Sequence, residues 1–262
     1  MHNRLHNAIS LYMEGIRDGN AQEAIEKYTG DKYTQHSTGV ADGKEGFVAF
    51  FEPFLERNPI RQIEVIRALY DEEEQKAFLH VYQKITDTEG QVAEWVTTDF
   101  FDFDEHDKII EHWDVIAEYS PTTPSGHTSI DGATQVEDEH ATEENKAVVR
   151  GLIENLLMEG GDRTKIDEYI SSEEYIQHNK DVPDGIESLR PMVMAQDSPL
   201  QYHRIVLMVG QGNFVATLCD ATFNGSRNAQ VDIFRLKDGK VVEHWDNVEP
   251  LPEGPQLNSG KF

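Results

Sequence analysis

Apolar positions in the first part of the chain recur at helical spacing. The first such stripe predicts an amphipathic helix over residues 3–18, and it consists of Leu5, Ile9, Tyr12 and Ile16. A shorter helix is predicted from Asn20 to the break at Gly30, and a third from Asp42 to the stop at Pro59. We expect the third helix to bury a stripe formed by Phe47, Phe50, Phe51, Phe54 and Leu55.

Beyond this point the apolar positions alternate with polar ones, which is typical of β-strands. Strands are predicted over residues 60–70, 76–86, 91–103 and 107–119, and turn-forming residues separate them. Three helices followed by a four-stranded antiparallel meander predict an α+β fold.

The second half repeats this order of elements. An apolar helix ends at Gly160-Gly161, a short helix follows Asp162, and a third helix starts at Asp184. Pro191 lies inside this third helix, so we expect a kink or an early end. The strands are predicted near residues 200–209, 213–224, 229–236 and 240–248.

Two short phrases recur in both halves and in the same order. Tyr33-Thr34-Gln35-His36 returns as Tyr175-Ile176-Gln177-His178, and in both places an Asp-Gly pair follows. Glu111-His112-Trp113-Asp114 returns as Glu243-His244-Trp245-Asp246. Ordered self-similarity of this kind predicts one domain duplicated in tandem.

The breaks in the pattern set the expected domain limits. The first domain is predicted over residues 1–119 and the second over 142–250. The Pro- and Gly-containing stretch 120–141 is predicted to be a linker. Residues 251–262 are predicted to be a tail, which we expect to be loose because three prolines fall within residues 250–262.

Composition narrows the classes of partner. The chain carries 49 acidic and 23 basic residues, a formal net charge of −26, which disfavours binding to nucleic acid and to anionic membranes. No apolar run approaches the length of a membrane span, and the start lacks the apolar core of a signal peptide. With Cys219 as the single cysteine no intrachain disulfide is possible, and we expect a cytoplasmic protein.

The order of elements and the two phrases resemble the SnoaL-like polyketide cyclase family of the nuclear transport factor 2-like superfamily. The resemblance covers residues 5–119 and 144–249. It implies two tandem cone-shaped α+β barrels, each with three helices packed on a curved antiparallel sheet around an apolar pocket. It also implies pairing through the outer faces of the sheets, either between the two domains as an intramolecular pseudo-dimer or as a homodimer.

In that family an acid/base carboxylate lies in an Asp-x-Phe-Arg phrase on the third strand, which maps to Asp99 and Asp232 here. Period two places Asp99 in one row with Phe101 and Phe103. An apolar row makes a carboxylate costly to ionise and raises its pKa, which suits a general base. The alternative is a hydrogen-bonded structural aspartate at the end of a strand.

Other candidates follow from the resemblance. His36 and His178 either face the pocket, where they would orient or polarise a substrate, or tie a loop to a strand. His80 lies in mid-strand, where the family often has a pocket histidine, and its counterpart falls near Thr217. The predicted substrate-binding residues are Tyr33, Tyr175, Trp113, Trp245 and Arg235; for the tyrosines and tryptophans, packing is the alternative.

We expect the Glu-His-Trp-Asp phrase itself to lie away from the site. His112 and Asp114 share one face of the last strand, which we expect at the convex surface, while Trp113 takes the other face. The sequence has no glycine-rich phosphate loop and no nucleophile elbow. We therefore predict neither a cofactor nor a bound metal.

These observations lead to two hypotheses. The first is a cofactor-independent enzyme that performs proton transfer, as in aldol cyclisation or isomerisation, on a small apolar carbonyl compound. The second is a non-catalytic module of the same fold that binds a small hydrophobic molecule or serves in pairing. A pocket with an inward-facing Asp99 and a second polar group in reach would favour the enzyme.

Overall fold

The chain folds into two compact units, each with three main helices and one five-stranded sheet. A computed structural model describes residues 2–195 and 198–262. The first unit consists of Met1–Glu118 with Pro252–Phe262, and the second of Tyr119–Leu251. The predicted α+β fold class is confirmed.

The helices of the first unit follow the apolar stripes. α1 (Asn3–Ser10) continues as a π-helix (Leu11–Arg17), and α2 (Ala21–Tyr28) and α3 (Gly43–Arg57) come next. In α3 only Phe47 of the predicted stripe is buried, and Phe50 is 39% exposed. The expectation of a buried stripe is wrong, because these phenyl rings border a cavity.

The sheet of the first unit has one strand more than predicted. Its order is β1-β5-β4-β3-β2, and the added strand β1 pairs in parallel with β5 at Thr29, Thr34 and Gln35 only. The Tyr-Thr-Gln-His phrase leads into this irregular pairing, which is too short for a visible alternation. The strands are β1 (Thr29–Gln35), β2 (Ile60–Asp71), β3 (Lys76–Thr86), β4 (Val92–Phe103) and β5 (Ile109–Glu118).

The second unit repeats this architecture. A 3₁₀ turn (Glu139–Ala141) precedes its helices, which are α4 (Thr142–Leu152) with a π-helix (Ile153–Leu157), a 3₁₀ turn (Arg163–Lys165) running into α5 (Ile166–Tyr169), and α6 (Ile186–Met194). The sheet order is β6-β10-β9-β8-β7. The strands are β6 (Ile176–Gln177), β7 (Leu200–Gln211), β8 (Phe214–Phe223), β9 (Ser226–Lys237) and β10 (Lys240–Pro250).

The third helix of the second unit is short, as expected, but an internal proline alone does not explain this, because α3 contains Pro53 and is not short. α6 has nine residues, whereas α3 has fifteen, and α6 ends three residues after the proline. The second unit encloses a cavity, and a shorter third helix leaves less wall around it. None of the described helices has the length and apolar character needed to cross a lipid bilayer.

Each unit has its own core on the inner face of its sheet. Ala77, Leu79 and Val81 of β3 point into the first core, and Val215 and Cys219 of β8 point into the second. The period-two alternation therefore decides which polar residues of the same strands face inward.

The predicted loose tail is folded onto the first unit. Asn258 donates from Nδ2 to the carbonyl oxygens of Ser37 and Val40, both at 2.7 Å. We call residues 258–261 the strap. In the second unit the segment before α4 has a comparable position, since Trp245 Nε1 donates to the carbonyl of Asp131 at 2.9 Å.

Candidate functional site

A cavity of about 280 Å³ opens in the first unit. Its walls are mainly apolar and come from the first helix, from α3 and from the inner face of the sheet. The polar side chains among its lining residues are Tyr12, Tyr33, Gln35, Ser37, Thr38, Gln83, Thr97, His112 and Asp114.

Asp99 is fully buried directly behind the wall of this cavity. It is not itself a lining residue, but it contacts Tyr12 and His112, which are. Its Oδ1 accepts a hydrogen bond from the Tyr12 hydroxyl at 2.8 Å and lies 3.0 Å from His112 Nε2. Its Oδ2 is buried without a hydrogen-bond partner among the described residues. Burial raises the pKa of Asp99 above its ordinary value, although the hydrogen bonds from His112 and Tyr12 oppose this effect.

The contacts of Nδ1, the second ring nitrogen of His112, show where hydrogens lie in the His112–Asp99 pair. His112 Nδ1 lies 2.8 Å from Gln35 Oε1, and that oxygen also accepts the backbone N–H groups of His36 and Ser37 at 3.0 Å. An atom that receives two N–H donors is an acceptor, so Nδ1 carries a hydrogen. One further proton is therefore shared between His112 Nε2 and Asp99 Oδ1.

Asp114 completes a cluster of three titratable groups. Single ligand atoms of Asp99, His112 and Asp114 lie within 4.8 Å of one another. This spacing is compatible with a metal ion, but the ammonium of Lys261 lies 3.3 Å from Asp114 Oδ1 and disfavours a second cation there. A second group with metal-compatible spacing, His127, Asp131 and His178, lies in the second unit.

The second unit contains the same network around a smaller cavity of about 80 Å³. His244 Nε2 lies 3.0 Å from Asp232 Oδ1 and its Nδ1 2.9 Å from Gln177 Oε1. Tyr202 donates to Asp232 Oδ2 at 2.8 Å, and Gln230 donates to Oδ1 at 3.0 Å. Both oxygens of Asp232 are thus occupied, whereas Asp99 keeps one oxygen without a partner.

Electrostatics in the second cavity follow from this pairing. Burial alone would lower the pKa of His244, but the hydrogen bond to Asp232 and the negative charge of Asp232 raise it above the ordinary value. Burial raises the pKa of Asp246, whose Oδ2 accepts a hydrogen bond from Asn179 at 2.7 Å.

Several predicted site residues lie on the opposite face of the first sheet. His36 stacks on Trp113 with ring centroids 4.8 Å apart, and its Nε2 lies 2.8 Å from Glu111 Oε1. Both rings are outside the set of residues that lines the first cavity. This placement corrects the expectation that His36 and Trp113 face the pocket, and it favours the alternative in which His36 ties a loop to a strand.

The same correction applies to the second unit, where His178, Trp245 and Arg235 were expected to face the pocket. His178 stacks on Trp245 at 4.6 Å, and Glu243 binds His178 through Oε1 at 2.9 Å and Arg235 through Oε2 at 2.6 Å. Burial alone would raise the pKa of Glu243, but these two hydrogen bonds lower it. His178, Trp245 and Arg235 therefore form an outer-face network instead of binding a substrate in the cavity.

His80 also faces away from the first cavity. It is buried, and Arg67 Nη1 lies 3.0 Å from its Nδ1, while its neighbours Leu79 and Val81 point into the core. Thr98 and Val231 are equivalent, since each directly precedes the aspartate of its strand. His80 pairs with Thr98, and Leu218 pairs with Val231. The counterpart of His80 is therefore Leu218, one residue from the expected Thr217.

Tyr33 and Tyr175 do line the two cavities. Their hydroxyls accept hydrogen bonds from Gln35 and Gln177 at 3.3 and 3.1 Å. Burial raises the pKa of both tyrosines far above the ordinary value, so both stay protonated. A role in substrate binding stays a prediction.

The residues that the sequence interpretation placed wrongly are His112 and Asp114. In the β4–β5 hairpin Asp99 pairs with Asp114 and Phe101 with His112, and directly paired residues share one face of a sheet. Counting outward from the turn at residues 104–108 would have paired Asp99 with Trp113. A register shift between Asp102 and Phe103 moves the pairing by one residue and brings His112 and Asp114 to the face of Asp99. The expectation that they lie at the convex surface is therefore wrong.

Stability of the protein should depend on pH through His244. Its folded pKa lies above the ordinary 6.5, so its contribution is complete below that pH and is lost as pH rises through the folded pKa. A folded pKa that is higher by one than the unfolded pKa contributes about 1.4 kcal/mol. Urea unfolding between pH 6 and 9 should show this loss in the wild type and a smaller loss in His244→Asn.

The exposed His203 offers a matched control, and His203→Asn should keep the wild-type pH dependence. An unchanged pH dependence in His244→Asn would contradict the assigned ion pair.

Comparisons with known proteins cover one unit at a time. A proposed SnoaL-like polyketide cyclase from Jannaschia sp. CCS1 is 15% identical, covers 44% of this chain and 85% of its own, and has a TM-score of 0.38. TsrD from Streptomyces laurentii is 12% identical, with 44% and 90% covered and a TM-score of 0.39. An NTF2-like protein of unknown function from Burkholderia pseudomallei K96243 is 11% identical, with 44% and 90% covered and a TM-score of 0.38.

A comparison with curated proteins gives no match. Residues 9–112 match the profile of the SnoaL-like domain family, and this range includes most of the first unit. The second unit has the same sheet order and the same two phrases. The first unit therefore carries the match to the SnoaL-like domain family, and the second unit repeats the architecture of the first.

Proposed function

We propose that the first cavity is the site of a cofactor-independent enzyme that transfers protons on a small apolar carbonyl compound, in an aldol cyclisation or an isomerisation. The observation that carries this proposal is the state of Asp99. It is fully buried beside the cavity, bonded to His112 through Oδ1, and has no partner at Oδ2 among the described residues. An unpartnered, desolvated carboxylate oxygen is a suitable acceptor for a carbon-bound proton.

Asp99 and His112 can take part both in the removal of the proton and in the step that follows it. Asp99 Oδ2 takes the proton next to the substrate carbonyl, and the electron pair of the broken C–H bond moves into an enolate. Protonated His112, held by Gln35 and Asp99, supplies positive charge close to the developing negative charge. In an aldol cyclisation the enolate carbon attacks a second carbonyl, whose π electrons move to oxygen, and the resulting alkoxide takes the proton from Asp99. In an isomerisation Asp99 returns the proton to another carbon of the enolate. Asp99 is a carboxylate again in both cases.

The walls of the cavity indicate the substrate class. Phe47, Trp95 and Phe101 contribute aromatic surface, which favours apolar rings or chains over sugars and phosphates. A volume of about 280 Å³ is at the small end of ligand cavities. A compact, mainly apolar carbonyl compound fits both properties.

For the second unit, a specific observation favours the hypothesis of a non-catalytic module. Its cavity measures about 80 Å³, and Gln230, Tyr202 and His244 occupy both oxygens of Asp232. Such a carboxylate is held in place by three donors, whereas Asp99 has one oxygen without a partner among the described residues. We infer a binding or pairing role for this unit, and the intramolecular pseudo-dimer stays a prediction.

Ligand entry should be visible at Trp95. The chain has three tryptophans, and Trp95 lines the first cavity while Trp113 stacks on His36 at the outer face. In 5-fluorotryptophan-labelled protein, a library of small apolar ketones and aldehydes should shift the ¹⁹F resonance of Trp95 and leave that of Trp113 in place. Equal shifts at both residues, or none at Trp95 with any compound, would argue against the first cavity as the binding site.

Loss of the base should abolish turnover of a compound found in this way. We expect Asp99→Asn to lower kcat by about 10²- to 10⁴-fold, the usual contribution of a general acid or base. The matched variant Asp232→Asn should retain turnover, because the second cavity is the inferred non-catalytic one. A folded Asp99→Asn variant with the wild-type kcat would refute the assignment.

A further inference from the structure

A charged side chain from the strap reaches the polar cluster of the first cavity. Lys261 is 7% exposed, and its Nζ lies 3.3 Å from Oδ1 of Asp114, which is 5% exposed. Removing two charges from water is costly, and their attraction repays this cost only when the pair is well held. The strap must therefore be anchored firmly for this ion pair to persist.

The contacts of the strap provide that anchoring. Besides the two hydrogen bonds of Asn258, the Ser259 hydroxyl donates to Asp42 Oδ2 at 3.0 Å, and His36 Nδ1 lies at the carbonyl oxygen of Gly260. Lys261 Nζ also lies 3.3 Å from the hydroxyl of Thr38, a residue of the cavity lining. These contacts fix the ammonium at the border of the cavity.

The second unit has a neutral group at the corresponding place. Asp246 accepts its hydrogen bond from the amide of Asn179, which directly follows the histidine of the Tyr-Ile-Gln-His phrase. The residue that follows the matching His36 is Ser37. The first unit thus pairs its inner carboxylate with a cation from the strap, and the second pairs its own with an amide.

We propose that Lys261 is a positioning residue of the first site, whose ammonium pairs with the Asp114 carboxylate and offsets its negative charge near Asp99. This inference rests on the proposed function only for its catalytic consequence. The electrostatic coupling between Lys261 and Asp99 is testable without any substrate.

The groups that act on Asp99 come from several elements. Tyr12 belongs to the first helix, while His112 and Asp114 lie on β5 next to Asp99 on β4. Lys261 comes from the strap and contacts Asp114. Burial is the main cause of the raised pKa of Asp99, and the negative charge of Asp114 adds to it. Without the ammonium of Lys261, the rise in the Asp99 pKa that the charge of Asp114 causes is no longer offset.

The variant Lys261→Met tests the coupling. We expect the pKa of Asp99 to rise further, by about 1, which is the effect of one uncompensated neighbouring charge. Aspartate labelled with ¹³C at Cγ gives the titration, and Asp99→Asn assigns the resonance. Lys261→Arg should restore the wild-type titration, because it keeps the charge.

A charge-matched control separates this effect from a general change in net charge. Lys27 is exposed and pairs with Glu14, so Lys27→Met removes one positive charge from the first unit away from the cavity. It should leave the Asp99 titration unchanged. If Lys261→Met does not fold, a chain truncated after Gly260 takes its place, and ethylammonium should restore its Asp99 titration to that of the wild type.

Two outcomes have distinct meanings. Identical Asp99 titrations in Lys261→Met and the wild type would overturn the positioning role and leave Lys261 as an anchor of the strap. Full turnover in Asp99→Asn would instead refute the proposed function, whatever the titration shows. With a substrate in hand, Lys261→Met should also move the acidic limb of the pH–rate profile to higher pH by the same amount as the Asp99 titration.

Discussion

The hydrogen bond between Gln35 and His112 is the contact on which the first site depends. Gln35 Oε1 is fixed as an acceptor by two backbone N–H groups, so it holds the His112 ring with its hydrogen on Nδ1. The other ring nitrogen then bonds Asp99, a buried carboxylate that would otherwise have only the Tyr12 hydroxyl as a donor. The parallel strand β1 brings Gln35 to β5, so an irregular five-stranded sheet is required for this arrangement.

The second unit has the same network, but without a carboxylate oxygen that lacks a hydrogen-bond partner. Gln177, His244 and Asp232 repeat the contacts of the first unit, but Tyr202 comes from a strand, whereas Tyr12 comes from a helix. Tyr202 donates to Oδ2 of Asp232, the oxygen whose counterpart in Asp99 has no partner, and Gln230 adds a second donor at Oδ1. A shorter α6 and a smaller cavity accompany this change, so the duplication preserved the framework while the first copy kept an unpartnered carboxylate oxygen.

The sequence predicted regular elements well and the faces of strands less well. Eight antiparallel strands and the six main helices follow from apolar periodicity, and the recurrent phrases mark the duplication. β1 and β6 escaped prediction because their pairing covers too few residues to show alternation. His112 and Asp114 were assigned to the wrong face because a register shift between Asp102 and Phe103, which the sequence does not show, moves the pairing of the hairpin by one residue. Lys261 could not be found, since 147 residues separate it from Asp114 and only tertiary folding brings the two together.

The protonation of His112 tests the account most directly. In protein labelled with ¹⁵N-histidine, with His112 assigned through His112→Gln, the ¹⁵N chemical shifts report the hydrogen on each ring nitrogen. The account predicts that in the folded protein Nδ1 carries a hydrogen and Nε2 is the ring nitrogen that bonds Asp99. A His112 ring with its hydrogen on Nε2 and a bare Nδ1 would contradict the Gln35–His112–Asp99 network.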